Sequence, residues 1–177
     1  TILDRDPEVL EKVGTHFEAR ASTRFSNAAN LYDAVTNADL VIGAVLIPGA
    51  AAPKLVTREM LKDMHKGAVL VDVAIDQGGC FETSRATTHA EPTYVIDDVV
   101  HYCVANMPGA VARTSTYALN NVTLPHALRI ARMGWKDALA ADPHLAEGLN
   151  VHRGEVTYEA VATELGYDYR PAAELLR

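Results

Sequence analysis

Two near-continuous apolar runs constrain the fold of this chain most: "ADLVIGAVLIPG" at positions 38–49 and "AVLVDVA" at 68–74. Such runs read as central parallel strands buried on both faces, the first halted by Pro48-Gly49. Between them Thr57 opens "TREMLKDM" as a capped helix, and Gly67 ends the turn before the second run. Upstream, "TIL" ends at Asp4, Asp6-Pro7 introduces a short helix carrying Val9, Leu10 and Val13, "STRFS" is a brief strand, and "NAANLYDAVTNA" is a helix. Downstream, "TYVID" and "YCVA" are further short strands. Strands alternating with helices through short turns predict βαβ units with right-handed crossovers, hence an α/β fold with a Rossmann-like parallel sheet. From Thr114 the pattern turns helical, with Leu119, Val122, Leu124, Leu128, Ile130 and Met133 in one long helix and shorter helices to Leu176. A boundary near Pro108 separates an expected domain over 1–108 from a helical segment over 109–177.

With 177 residues, 49% of them hydrophobic, the chain carries one good core and is too short for two large domains. Only 6% of residues are aromatic, which favours helices on a Val-rich sheet over a sandwich of aromatic strands. A net charge of −7 leaves no cationic stripe to replace phosphate counterions, so a nucleic-acid binder is not expected. Cys80 and Cys103 lack a CxxC spacing and read as reduced thiols of a cytoplasmic protein. No apolar run approaches the roughly 18 residues of a membrane span, so no membrane partner is expected. The seven histidines show no ligand spacing and read as surface or helix residues, with no metal site expected. No serine sits in a GxSxG elbow.

In parallel sheets, ligands bind beyond the carboxyl ends of the strands, which focuses attention on four places. Asp4 ends the first strand and reads either as the acid that accepts hydrogen bonds from an adenosine ribose or as a cap for the next helix. Val45 and Leu46, at the exit of the next strand, either let an adenine or ribose lie against the backbone or belong to a plain buried strand with a proline turn. Asp76 follows an apolar strand and precedes Gly78-Gly79; it is either a partly desolvated carboxylate that trades protons or the start of an Asx-turn. Arg85, in the same loop, either meets a phosphate or carboxamide or is solvated. Val104, Ala105, Asn106 and Met107 either expose main-chain groups and an amide to a ligand or form an interdomain turn.

The strings "ADLVIGAVLIPGAAAPKLVTREML", "GAVLVDVAIDQGGCFETS", "YCVANMPGAVARTSTYALNN" and the Gly134-Trp135 pair closely resemble the alanine dehydrogenase family, without obvious gaps over the chain. The resemblance implies NAD as cofactor and L-alanine, pyruvate and ammonia as reactants, in a two-domain enzyme whose dinucleotide domain is inserted within a substrate domain. It further implies that Asp4 is the adenosine-ribose acid and that Ser26, Val45 and Leu46 are adenosine-side contacts. Val73, Ala74, Ile75, Asp76, Arg85 and Val104 to Met107 would line the nicotinamide half, with Asp76 the catalytic aspartate. A homo-oligomer, a hexamer, is implied as well. One position departs from the family: a basic residue expected about five places after the ribose acid is Val9 here.

The chain opens on Thr1 already inside a strand, and the Gly-rich strand-turn of such a domain would lie upstream. A fragment lacking the N-terminal part of a longer protein is therefore expected, with its first strand missing between the strand ending at Asp4 and the strand at Leu40–Val45. Alone it should be inactive and poorly stable. The nearest rival resemblance is the NAD-binding subunit of proton-translocating transhydrogenase, which shares an "IPG.PAPKL" stretch. Position 76 discriminates, because the transhydrogenase pattern is neutral in the corresponding loop.

Overall fold

The computed structural model describes residues 1–176 and divides into two compact units, Thr1–Leu46 with Ala52–Ala105, and Ile47–Ala51 with Asn106–Arg177. The first unit is α/β. It begins with β1 (Ile2–Asp4), α1 (Pro7–Phe17), β2 (Thr23–Phe25), α2 (Ala28–Thr36) and β3 (Leu40–Gly43). It continues with α3 (Arg58–Leu61), β4 (Val69–Asp72), β5 (Thr93–Ile96) and β6 (Val99–Tyr102). Each early helix starts on an oxygen-bearing cap: the side chains of Asp6, Asn27 and Thr57 accept from the backbone N–H groups of Glu8, Asn30 and Met60.

β1 pairs in parallel with β2. A separate four-stranded sheet has the order β3-β4-β6-β5, in which β3 and β6 both run parallel to β4. The last neighbours are antiparallel, β5 against β6, whereas the sequence reading treated all these strands as parallel. The reason is local. Asp97 and Asp98 both take positive φ, 51° and 63°, which makes the tight mirror-image turn that joins two strands as a hairpin.

Both long apolar runs yield shorter strands than expected. The first stops at Gly43, and Leu40 and Ile42 are exposed while Val41 packs on the core, so this strand is not buried on both faces. It pairs with β4 alone, and among the described residues nothing covers its second face. The second run stops at Asp72 and tightens into a 3₁₀ turn over Val73–Gln77, because the Asp72 carboxylate captures the Ala74 N–H two residues on. The core of this unit packs Leu61, Leu70, Val56, Phe81 and Val99, all essentially inaccessible, beneath that turn.

In the second unit a 3₁₀ turn over Met107–Val111 runs into α4 (Ala112–Met133). α4 has no buried residue, and Tyr117, Leu119 and Val122 are exposed along it. Short elements follow: α5 (Trp135–Ala140), α6 (Pro143–Ala146), the hairpin β7 (Val151–His152) with β8 (Glu155–Val156), α7 (Glu159–Leu165) and α8 (Ala172–Leu175). Ala138, Leu139 and Ala162 are buried hydrophobic residues of this unit. The Thr157 hydroxyl donates to the Leu149 carbonyl at 2.6 Å.

Candidate active site

Because β3, β4 and β6 run in one direction, the segments that leave their carboxyl ends emerge along one edge of the sheet. Val45 and Leu46 follow β3, Val73 to Asp76 follow β4, and Val104 and Ala105 follow β6. The two-stranded ribbon repeats the arrangement. Asp4 closes β1, Ser26 follows β2, and the Ser26 N–H donates to the Asp4 carbonyl at 2.8 Å. The Asp4 carboxylate accepts from the Asp6 N–H at 2.9 Å, and Asp6, not Asp4, caps α1.

Not every predicted residue presents its side chain at this edge. Ala74, Ile75 and Val104 are buried, so their side chains do not face a ligand, and the Ala74 main chain is already bonded, its N–H to Asp72 and its carbonyl to the Gly79 N–H. Leu46 and Val73 are 63% and 50% exposed, an apolar surface suited to a flat ring. Asp76 is exposed, not partly desolvated as the sequence reading expected, because the 3₁₀ turn carries it outward from the sheet. Asn106 and Met107 fall in the second unit, where Asn106 holds a left-handed conformation (φ 55°, ψ 52°) at the start of its 3₁₀ turn.

The carboxylate at the strand's end is Asp72, which the sequence reading passed over. It is 0% exposed. Its oxygens accept from the N–H groups of Ala74 (3.1 Å), Cys80 (2.9 Å) and Phe81 (3.4 Å) and from the Ser84 hydroxyl. Burial of a charge is tolerated when donors surround it, and here those donors come from both ends of the loop 73–84. A carboxylate in the middle of an apolar run was the available signal. Burial and the neighbouring Asp72 carboxylate push the Cys80 thiol up to about 12, which makes it an inert core residue.

A second segment closes on the same loop. Ala52 N–H donates to the Gln77 carbonyl at 3.1 Å, Leu55 N–H to Cys80 at 2.7 Å, and Glu82 N–H to Val56 at 2.8 Å. Lys54, also passed over in the sequence, donates through Nζ to the carbonyls of Gly78 (2.5 Å) and Gly79 (2.8 Å). Its signal was a cation set within the apolar string "IPGAAAPKL".

Arg85 is held at the hairpin. Its Cζ lies 4.0 Å from the Tyr94 ring centroid and its N–H donates to the Tyr94 hydroxyl at 2.9 Å, so it is not merely solvated. Tyr94 stacks on His101, with centroids 4.8 Å apart. His101 is fully buried in β6, unlike the surface or helix position expected for the histidines. The Val99 carbonyl accepts from Nδ1 at 3.0 Å, which leaves Nε2 to accept from the Thr83 hydroxyl at 2.8 Å. Burial lowers the His101 pKa and raises that of Tyr94.

An alanine dehydrogenase from Halomonas elongata is 62% identical over 176 residues, covering 99% of this chain and 47% of that protein. A solved L-alanine dehydrogenase structure superposes with a TM-score of 0.80 at 48% identity, covering 93% of this chain and 45% of the other. A transhydrogenase structure from Sinorhizobium meliloti is more distant, with a TM-score of 0.62 at 29% identity, covering 89% of this chain and 42% of that one. The chain spans about half the length of the curated relatives it matches. The family model described as "Alanine dehydrogenase/PNT, C-terminal domain" matches residues 1–159, and the chain belongs to that family.

Proposed function

We propose that this chain supplies the cofactor side of an NAD-dependent alanine dehydrogenase, which converts L-alanine, NAD⁺ and water to pyruvate, ammonium, NADH and a proton. The carrying observation is Asp76, an exposed carboxylate on a turn fixed at the carboxyl edge of a parallel sheet. Leu46 and Val73 offer apolar surface to the rings of a dinucleotide at the carboxyl edge of the four-stranded sheet, and Asp4 with Ser26, at the carboxyl ends of the separate ribbon, are our candidates for the ribose. Bound NAD would supply the acceptor for the hydride of the alanine α-carbon. Asp76 orients the substrate amine, which reaches the iminium level after its ammonium form has released one proton to solvent, and Asp76 then takes a proton from the water that attacks the iminium carbon. Asp4 accepts hydrogen bonds from the adenosine ribose hydroxyls, Arg85 faces the carboxamide or phosphate, and the backbone at Ala74, Ile75, Val104 and Ala105 lines the nicotinamide half.

The remaining catalytic groups belong to further residues of the complete enzyme, with 109–177 contributing to its substrate domain. A cytoplasmic homohexamer is the assembly we infer, the cytoplasmic part supported by two buried, unbridged cysteines. The transhydrogenase alternative is disfavoured by the lower likeness and by the acid at position 76. In the complete enzyme Asp76→Asn should lower alanine-dependent NADH formation by about 10²–10⁴-fold, the usual worth of a positioned proton-transfer group, with NADH binding by fluorescence titration retained. Near-normal turnover would remove Asp76 from the mechanism.

A further inference from the structure

We propose that Lys54 is a positioning residue for the turn that carries Asp76. The inference rests on the functional reading above and deepens it. The turn has two fixed sides. From inside the core, Asp72 accepts the N–H groups of Ala74 and Cys80, at either end of the segment that contains Asp76. From outside, the 52–56 segment runs beside residues 77–82, joined by the Val56 and Phe81 bridge and by the Ala52 N–H to Gln77 carbonyl bond.

Lys54 is the charged contact on that outer side. Gly78 and Gly79 both take positive φ, 86° and 76°, and the Lys54 ammonium donates to both of their carbonyls, at 2.5 and 2.8 Å. A single cation thereby ties together the two most pliable residues of the loop, directly after Asp76 and Gln77. Without it, the pair keeps the bonds from the Gly78 N–H to the Ile75 carbonyl and from the Gly79 N–H to the Ala74 carbonyl but loses the tie on its carbonyl side, and the carboxylate two positions upstream inherits that looser hold. An alignment error of about 1 Å at a reacting group costs on the order of 10²-fold in rate. Lys54 itself is exposed, so its replacement leaves the core packing intact.

The test compares Lys54→Met, Lys54→Arg and Asp76→Asn in the complete enzyme, by steady-state kinetics with L-alanine and C2-deuterated L-alanine and by NADH fluorescence titration. Lys54→Met should lower kcat by at least about 10-fold, with the NADH dissociation constant unchanged within about twofold and a larger deuterium effect on kcat. Lys54→Arg, whose guanidinium also reaches two carbonyls, should recover part of the loss. Wild-type kcat in Lys54→Met beside an inactive Asp76→Asn overturns the proposal and leaves the functional reading standing. Parallel loss of kcat and NADH affinity also overturns it, making Lys54 a cofactor ligand, as does a lowered melting temperature with normal kcat per folded enzyme. If wild-type enzyme forms no NADH from alanine, the functional reading itself fails.

Discussion

Gly78 and Gly79 separate two kinds of glycine requirement one position apart. Both have positive φ, yet a Cβ on Gly78 would meet nothing within 4 Å, while a Cβ on Gly79 would lie 2.6 Å from Asp72 Oδ2 and 2.7 Å from Ser84 Cβ. Gly78→Ala should therefore cost only the conformational strain, about 1 kcal/mol. Gly79→Ala adds the overpacking of a buried polar cluster and should cost about 3 kcal/mol or more. Urea unfolding of the two variants measures the difference, and equal losses would mean that the Asp72 cluster is looser than described. The sequence shows the glycine pair and its need for unusual backbone. It does not show which member is crowded, because the crowding groups, Asp72 and Ser84, are brought there by folding. Asp76 drew attention in the sequence through its place beside the glycines, whereas Asp72 and Lys54 did not: beyond the local bond from the Ala74 N–H to Asp72, their hydrogen bonds join residues 8 to 25 positions apart.

The β5 and β6 hairpin shows what becomes legible at the level of elements. Both strands were identifiable from their β-branched and aromatic residues, but their antiparallel pairing depends on two consecutive aspartates adopting positive φ, which aspartate permits without requiring. The hairpin buries His101 against Tyr94 in a neutral form. Desolvation is the main cause of its lowered pKa, with Arg85 acting in the same direction and the Val99 carbonyl and Asp97 opposing. The folded value lies below the ordinary 6.5 and the unfolded chain binds the proton more readily. Its contribution is thus present above about pH 6.5 and is lost as pH falls toward the folded value. The urea midpoint should drop between pH 7.5 and 5.5, and the drop should be smaller in His101→Gln, which does not titrate. An identical pH dependence in that variant would assign the loss to other groups.

At the scale of the chain, the α/β alternation was readable because capped helices and apolar strands carry local signals, while the division of the strands into a ribbon and a four-stranded sheet was not. That division depends on which strands find partners, and among the described residues β1 is bonded only to β2 while β3 is bonded only to β4. It also distributes stability unevenly. β4 is flanked by strands on both sides and carries Leu70 and Asp72, each 0% exposed, whereas β1, β2 and α1 contain no residue in the buried class. Local opening of the ribbon exposes little additional apolar surface, so it should open well below the free energy that unfolds the sheet. In native-state hydrogen exchange on the 177-residue chain, amides of Val69–Asp72 should therefore exchange slowest, and those of Ile2–Asp4 and Thr23–Phe25 at least about 10²-fold faster, a gap of about 2.7 kcal/mol in opening free energy. If a further strand joins β1 to β3 in a longer protein, as the family resemblance implies, the ribbon's exchange should slow there toward that of β4, with little change at β4 itself. Equal protection of ribbon and sheet in the 177-residue chain would show that the two open as one unit, and that the pairing pattern does not set its weak point.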